Sequence, residues 1–164
     1  MATIDDLNTC PPDQFIAAVG PVFERSPWIA AAVVSRRPFA SREALHAAMC
    51  DTVTTASAEQ QLALIRAHPD LVGRAVLTAE SAREQAAAGL TGLTAEDIAA
   101  FDRYNSAYMA RFGFPFVICA RKNKKEAILR AFPVRLTHDR DQEIATALGE
   151  IFQIAGLRLA DLLP

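Results

Sequence analysis

A chain of 164 residues is long enough for one domain with a real core. Half of it (51%) is hydrophobic, only 7% is aromatic, and its formal net charge of -2 lacks the basic footprint of a nucleic-acid or anionic-membrane binder. No apolar run is long enough to cross a bilayer. Met1-Ala2-Thr3-Ile4-Asp5-Asp6 has no basic or apolar leader pattern, and Asp161-Leu162-Leu163-Pro164 is not a peroxisomal tripeptide. The cysteines Cys10, Cys50 and Cys119 are odd in number and show no C-x-x-C spacing, so they read as reduced thiols of a cytoplasmic protein. Abundant alanine, few glycines and rare β-branched runs predict an all-α fold. With no repeat or long linker, that means a single compact multi-helix domain over residues 1–164.

In chain order, the first predicted helix runs from Thr9 to Gly20, with prolines at its start. Ser26 and Pro27 predict the cap and first turn of a helix that reaches about Arg36 and stops before Pro38. Ser41 caps the next, which carries Leu45, Ala48, Met49 and Thr52 at helical spacing. His46 and Cys50 share a face there, but nothing supplies the further ligands a zinc ion needs. Ser57 opens a helix ending at Ala67-His68-Pro69-Asp70-Leu71. Proline cannot extend the ladder, and it turns the preceding residue out of the α region. His68 therefore stands at or just past a helix C-terminus. There it either caps carbonyls or serves as a placed proton donor, because a helix C-terminus favours imidazolium.

Thr78-Ala79-Glu80 starts a helix that ends near Gly89. Ser81, Glu84, Gln85 and Ala88 fall on one stripe of it, which is either a solvated face or a grip for a polar ligand. Thr94 and Asp97 make a capping box for a long helix through Phe101, Tyr104, Asn105 and Tyr108 to about Phe112. Phe112-Gly113-Phe114-Pro115-Phe116-Val117-Ile118-Cys119-Ala120 then breaks the period. It predicts a buried extended segment whose backbone either serves a ligand or belongs to an apolar plug. Asn123 predicts the cap of the next helix, beside a basic cluster of Arg121, Lys122, Lys124 and Lys125. Asp139 or Asp141 caps the last helix. Gly149 and Gly156 there would let a neighbour approach closely, and Arg158 lies about forty degrees off the apolar stripe. A guanidinium at such an edge takes an internal carboxylate or a substrate's.

These segments form an ordered set: Ser26-Pro27-Trp28, Pro38-Phe39, His68-Pro69-Asp70-Leu71, Ser81 with Glu84-Gln85, Gly89-Leu90, Phe112-Gly113-Phe114-Pro115-Phe116-Val117 and Leu157-Arg158-Leu159. Over nearly the full length the chain resembles the OHCU (2-oxo-4-hydroxy-4-carboxy-5-ureidoimidazoline) decarboxylase family of urate breakdown. The resemblance implies an all-helical homodimer, in the cytoplasm here, that releases carbon dioxide and forms (S)-allantoin. It implies a carboxy-lyase working on a small ureidoimidazoline with no cofactor and no metal. His68 matches the catalytic histidine and Glu84 the carboxylate beside it. Pro69, Ser81, Gln85, Phe116, Val117, Ile118, Cys119, Ala120 and Arg158 match substrate-binding positions. Two other readings compete on residues alone: a cysteine enzyme built on Cys119, which an apolar run disfavours, and a non-catalytic helical binding module.

Overall fold

The structure is a computed structural model, and it describes residues 2–73 and 77–164. Those residues fold into helices joined by turns, with no strand among them and no helix long and apolar enough to cross a membrane. They divide into two compact units: residues up to Ala67 together with Phe152–Pro164, and His68–Ile151.

Local capping chemistry sets most helix ends in the first unit. The Thr3 hydroxyl accepts from Asp6 N at 3.1 Å, and the Asp6 carboxylate accepts from Thr3 N at 2.9 Å. This box opens α1, Ile4–Thr9, which hydrophobic periodicity misses because the helix is under two turns long. Helix α2, Pro12–Val19, starts on a proline and not at the predicted Thr9, which closes α1 instead. Helix α3, Trp28–Val33, differs in its cap. Pro27 takes the N-cap position, and the Ser26 hydroxyl turns back to donate to Glu24 O at 2.9 Å. Ser41 and Ser57 cap α4, Arg42–Thr54, and α5, Ala58–Arg66, as expected.

Phe15, Ile29, Leu45, Met49, Leu64, Ala155 and Leu159 are wholly buried in this unit. A Cβ at Gly156 would sit 3.3 Å from His46 Nε2, so this glycine makes the close approach its spacing predicted. At Gly149 nothing comes within 4 Å, and that part of the expectation is corrected.

The second unit holds α6, Ala79–Ala87, α7, Ala95–Phe112, α8, Lys125–Arg135, and the first half of α9, Arg140–Leu162. Its core is aromatic. Phe116 stacks on Phe132 with ring centroids 3.8 Å apart, and Tyr108 meets Phe116 edge-on at 5.3 Å. Helix α7 stops at Gly113, whose φ of +79° is left-handed and whose N–H donates to Met109 O at 2.8 Å. Residues 115–119 then run without regular structure into a tight turn at Ala120–Lys122. The predicted Asn123 cap is also corrected. Lys124 is the N-cap of α8, and Asn123 Nδ2 instead donates to Cys119 O at 2.9 Å.

Past α5 the chain turns sharply. Gly73 N donates to Asp70 O at 3.3 Å, and Val72 between them adopts φ +57°. A β-branched residue rarely takes that conformation, so something must hold it there. Burial, with help from Asp102, raises the Asp70 carboxyl above the usual aspartate range.

Two variants test these local accounts. Nothing lies within 4 Å of a Cβ at Gly113, so Gly113→Ala meets only the left-handed backbone penalty. It should cost about 1–2 kcal/mol in a denaturant melt. A raised carboxyl pKa means the native protein binds the proton more tightly than the unfolded chain. The stability lost to ionisation is therefore absent at low pH and appears as pH climbs above the ordinary aspartate value of about 3.9. Asp70→Asn should thus melt above wild type at pH 7, and the gap should close near pH 3.

Candidate active site

The turn after α5 places His68. The residue is 8% exposed and Leu71 6%, so the ring is turned away from open solvent. Pro69 beside it is half-buried. Two side chains of the same unit hold the turn's backbone. Asn105 Nδ2, from α7, donates to Leu71 O at 2.8 Å. Gln85 Oε1, from α6, accepts from Val72 N at 3.1 Å, while its Nε2 lies 3.5 Å from Asp70 O. The Gln85 amide thus secures the strained Val72. The family resemblance assigns it to substrate; here it grips the loop that carries the histidine.

Helix α6 has an inverted pattern. Ala82, Arg83, Ala86 and Ala87 face solvent, whereas Ser81 (6% exposed), Gln85 (9%) and Ala88 are buried and Glu84 is half-buried. Of the two readings open for this stripe, the solvated face is excluded. Burying polar groups costs free energy unless they are satisfied, and the Gln85 amide is met by Val72 N and Asp70 O.

The third component is the irregular segment. Phe116, Val117, Ile118, Cys119 and Ala120 are all buried. Carbonyls along it are taken: Val117 O by Arg135 Nη1 at 2.6 Å, Cys119 O by Asn123 Nδ2 and by Lys122 N at 3.1 Å. Among the described residues no acceptor takes the backbone N–H of Phe116, Val117, Ile118 or Cys119. Buried amides in that condition are rare in native proteins. Helix α6 packs against the Ala120–Lys122 turn, and Lys124 Nζ donates to Ala87 O at 2.8 Å, so the α6 stripe and this segment are neighbours. Burial above all, with the Glu150 and Glu84 carboxylates adding to it, pushes the Cys119 thiol up. That opposes thiolate formation and weakens the cysteine-nucleophile reading.

Arg158 belongs to the first unit, where it is 7% exposed and donates to Glu24 Oε2 at 2.7 Å and Pro21 O at 3.1 Å. An internal carboxylate therefore meets this guanidinium. His46 Nε2 lies 2.9 Å from Phe152 O and 3.4 Å from Cys50 Sγ, and burial pushes that thiol up to about 11. In the basic cluster, Lys125 pairs with Asp97 at 3.0 Å, while Arg121, Lys122 and Lys124 are exposed.

Sequence reasoning missed Asn105, Arg135 and Glu143 as parts of this region. Only Asn105 left a trace, as a polar residue on the apolar stripe of α7.

Comparison with known proteins shows the family. The OHCU decarboxylase family profile matches residues 8–160, spanning both units. A 2-oxo-4-hydroxy-4-carboxy-5-ureidoimidazoline decarboxylase of Halalkalicoccus jeotgali is 43% identical over 98% of this chain and 91% of its own length. One from Haloferax volcanii is 43% identical over 97% of this chain and 95% of its own. A crystal structure of (S)-allantoin synthase superposes with a TM-score of 0.82 at 30% identity, covering 99% of this chain and 54% of that one. With a family match over nearly its whole length and relatives this similar, the chain belongs to the OHCU decarboxylase family.

Proposed function

We propose that this protein is a carboxy-lyase that converts 2-oxo-4-hydroxy-4-carboxy-5-ureidoimidazoline to (S)-allantoin and carbon dioxide in urate catabolism. The family membership supports the reaction. The observation that carries the site is the inverted face of α6, with Ser81, Glu84 and Gln85 turned inward in the unit that also buries His68.

Decarboxylation breaks the bond between ring carbon and carboxylate and needs somewhere to hold the electron pair. This substrate has its own sink, an imine beside the carbon that bears the carboxylate. The protein's share is orientation, charge placement and a proton delivered to one face. In this reading His68 moves the proton and Glu84 orients the ring and steadies its charged form. Pro69 shapes the wall beside the imidazole. Ser81 and the amides of Phe116 to Ala120 hold the ring and ureido groups, and Gln85 acts at the same edge. Such donors orient a bound substrate best when they are fixed beforehand. The reading includes a homodimer working in the cytoplasm, with residues 1–164 as one family domain.

The test is to generate the unstable substrate from urate with the upstream enzymes, add this protein, and follow the circular dichroism of allantoin. Rapid appearance of one enantiomer is expected; slow racemic product would sink the reading. His68→Asn and Glu84→Gln should each lower turnover about a hundredfold or more while leaving the helical spectrum unchanged. A His68→Asn protein that turns over at the wild-type rate would remove the histidine from the chemistry.

A further inference from the structure

Arg135 is a buried cation for which the mechanism above has no use. It sits in the last turn of α8 and is 6% exposed. Its Nε donates to Glu143 Oε1 at 2.7 Å and its Nη1 to Val117 O at 2.6 Å. Its Cζ lies 4.2 Å from the centroid of the Phe116 ring. Glu143, at 0% exposure, also accepts from the Tyr108 hydroxyl and meets His138 Nδ1 at 2.8 Å.

An ion pair sunk this deep is a poor way to add stability. Two charges must be stripped of water, and apolar residues of similar volume commonly do as well or better. The planar fork does something an apolar side chain cannot. It answers a carboxylate on one edge and a main-chain carbonyl on the other. That carbonyl belongs to Val117, in a run with no strand to pair with. Asn123 holds a second carbonyl two residues on, at Cys119. The two anchors bracket Ile118, whose N–H is one of the four uncommitted amides.

We propose that Arg135, held by Glu143, is a positioning residue for the decarboxylase. By fixing Val117 O it aims the amides of residues 116–119 at the substrate, and it touches no reacting atom itself. The inference rests on the decarboxylase reading and gives a positioning role to a residue that the family resemblance does not assign to the site. Amide donors that contact the substrate throughout the reaction contribute uniform binding. Their misplacement therefore appears in KM more than in kcat.

The experiment compares steady-state kinetics of wild type, Arg135→Lys and the double variant Arg135→Met with Glu143→Gln. Lysine keeps a charge opposite Glu143 but cannot also reach the carbonyl with a second fixed N–H. The double variant removes both charges yet leaves an acceptor for Tyr108 and a partner for His138. KM should rise about tenfold in each, the value of one lost hydrogen bond, with kcat within about threefold of wild type. A purely structural residue would lower the melting temperature and the active fraction, and so kcat, while leaving KM alone. KM within twofold of wild type in either folded variant overturns the proposal, and so does failure of both variants to fold. Absence of activity in the wild-type protein would instead overturn the decarboxylase reading on which this rests.

Discussion

An extended apolar run inside a helical unit presents a backbone with no ladder to join. Each of its buried N–H and C=O groups must find another partner or be left at a cost. Residues 115–119 are in this position, and much of the second unit answers it. Arg135 is placed to hold one carbonyl, at the expense of burying a guanidinium and therefore Glu143 to balance it. Asn123 gives up its expected capping role to hold another. Among the described residues no acceptor takes the amides of Phe116 to Cys119. The same segment packs Phe116 between Phe132 and the guanidinium, so the apolar core and the polar clamp share one strip of backbone.

A second cost is taken at the turn that bears His68. Val72 is held left-handed, a conformation β-branched residues avoid, and Gln85 from α6 holds it there. Strain kept in place by surrounding structure is common where a side chain must be aimed and unusual where a loop only connects. Helix α6 adds to the pattern by facing Ser81 and Gln85 inward and Ala82, Ala86 and Ala87 outward. A helix selected for stability alone would be the reverse. Each of these departures from local preference lies in the one unit that carries His68, and each supplies polar groups to its interior.

Helix ends were largely legible. Ser41, Ser57, Thr78 and Thr94 accept the backbone amides that side-chain chemistry assigns them. The two misread caps fail for one reason. Ser26 and Asn123 each have a nearer carbonyl to answer, and a local rule cannot see that competitor. Helix α1 escaped because a six-residue helix leaves too few apolar positions to show a period.

By itself the sequence determined the helical class, the turn at His68-Pro69, the shared stripe of Ser81, Glu84 and Gln85, and the break in helical pattern after Phe112. Each follows from dihedral limits or from side-chain period, which act over a few residues. Which side of α6 faces inward was undecidable from the stripe alone, since a polar row reads equally as surface or as site. Only tertiary packing turned it inward, set Gln85 against Val72, and placed Arg135 between Glu143 and Val117, residues 8 and 18 positions away. Those pairings depend on where distant elements come to rest, and burial then makes them obligatory. Once water is excluded, a charge or an amide must be met by another part of the fold or by a ligand.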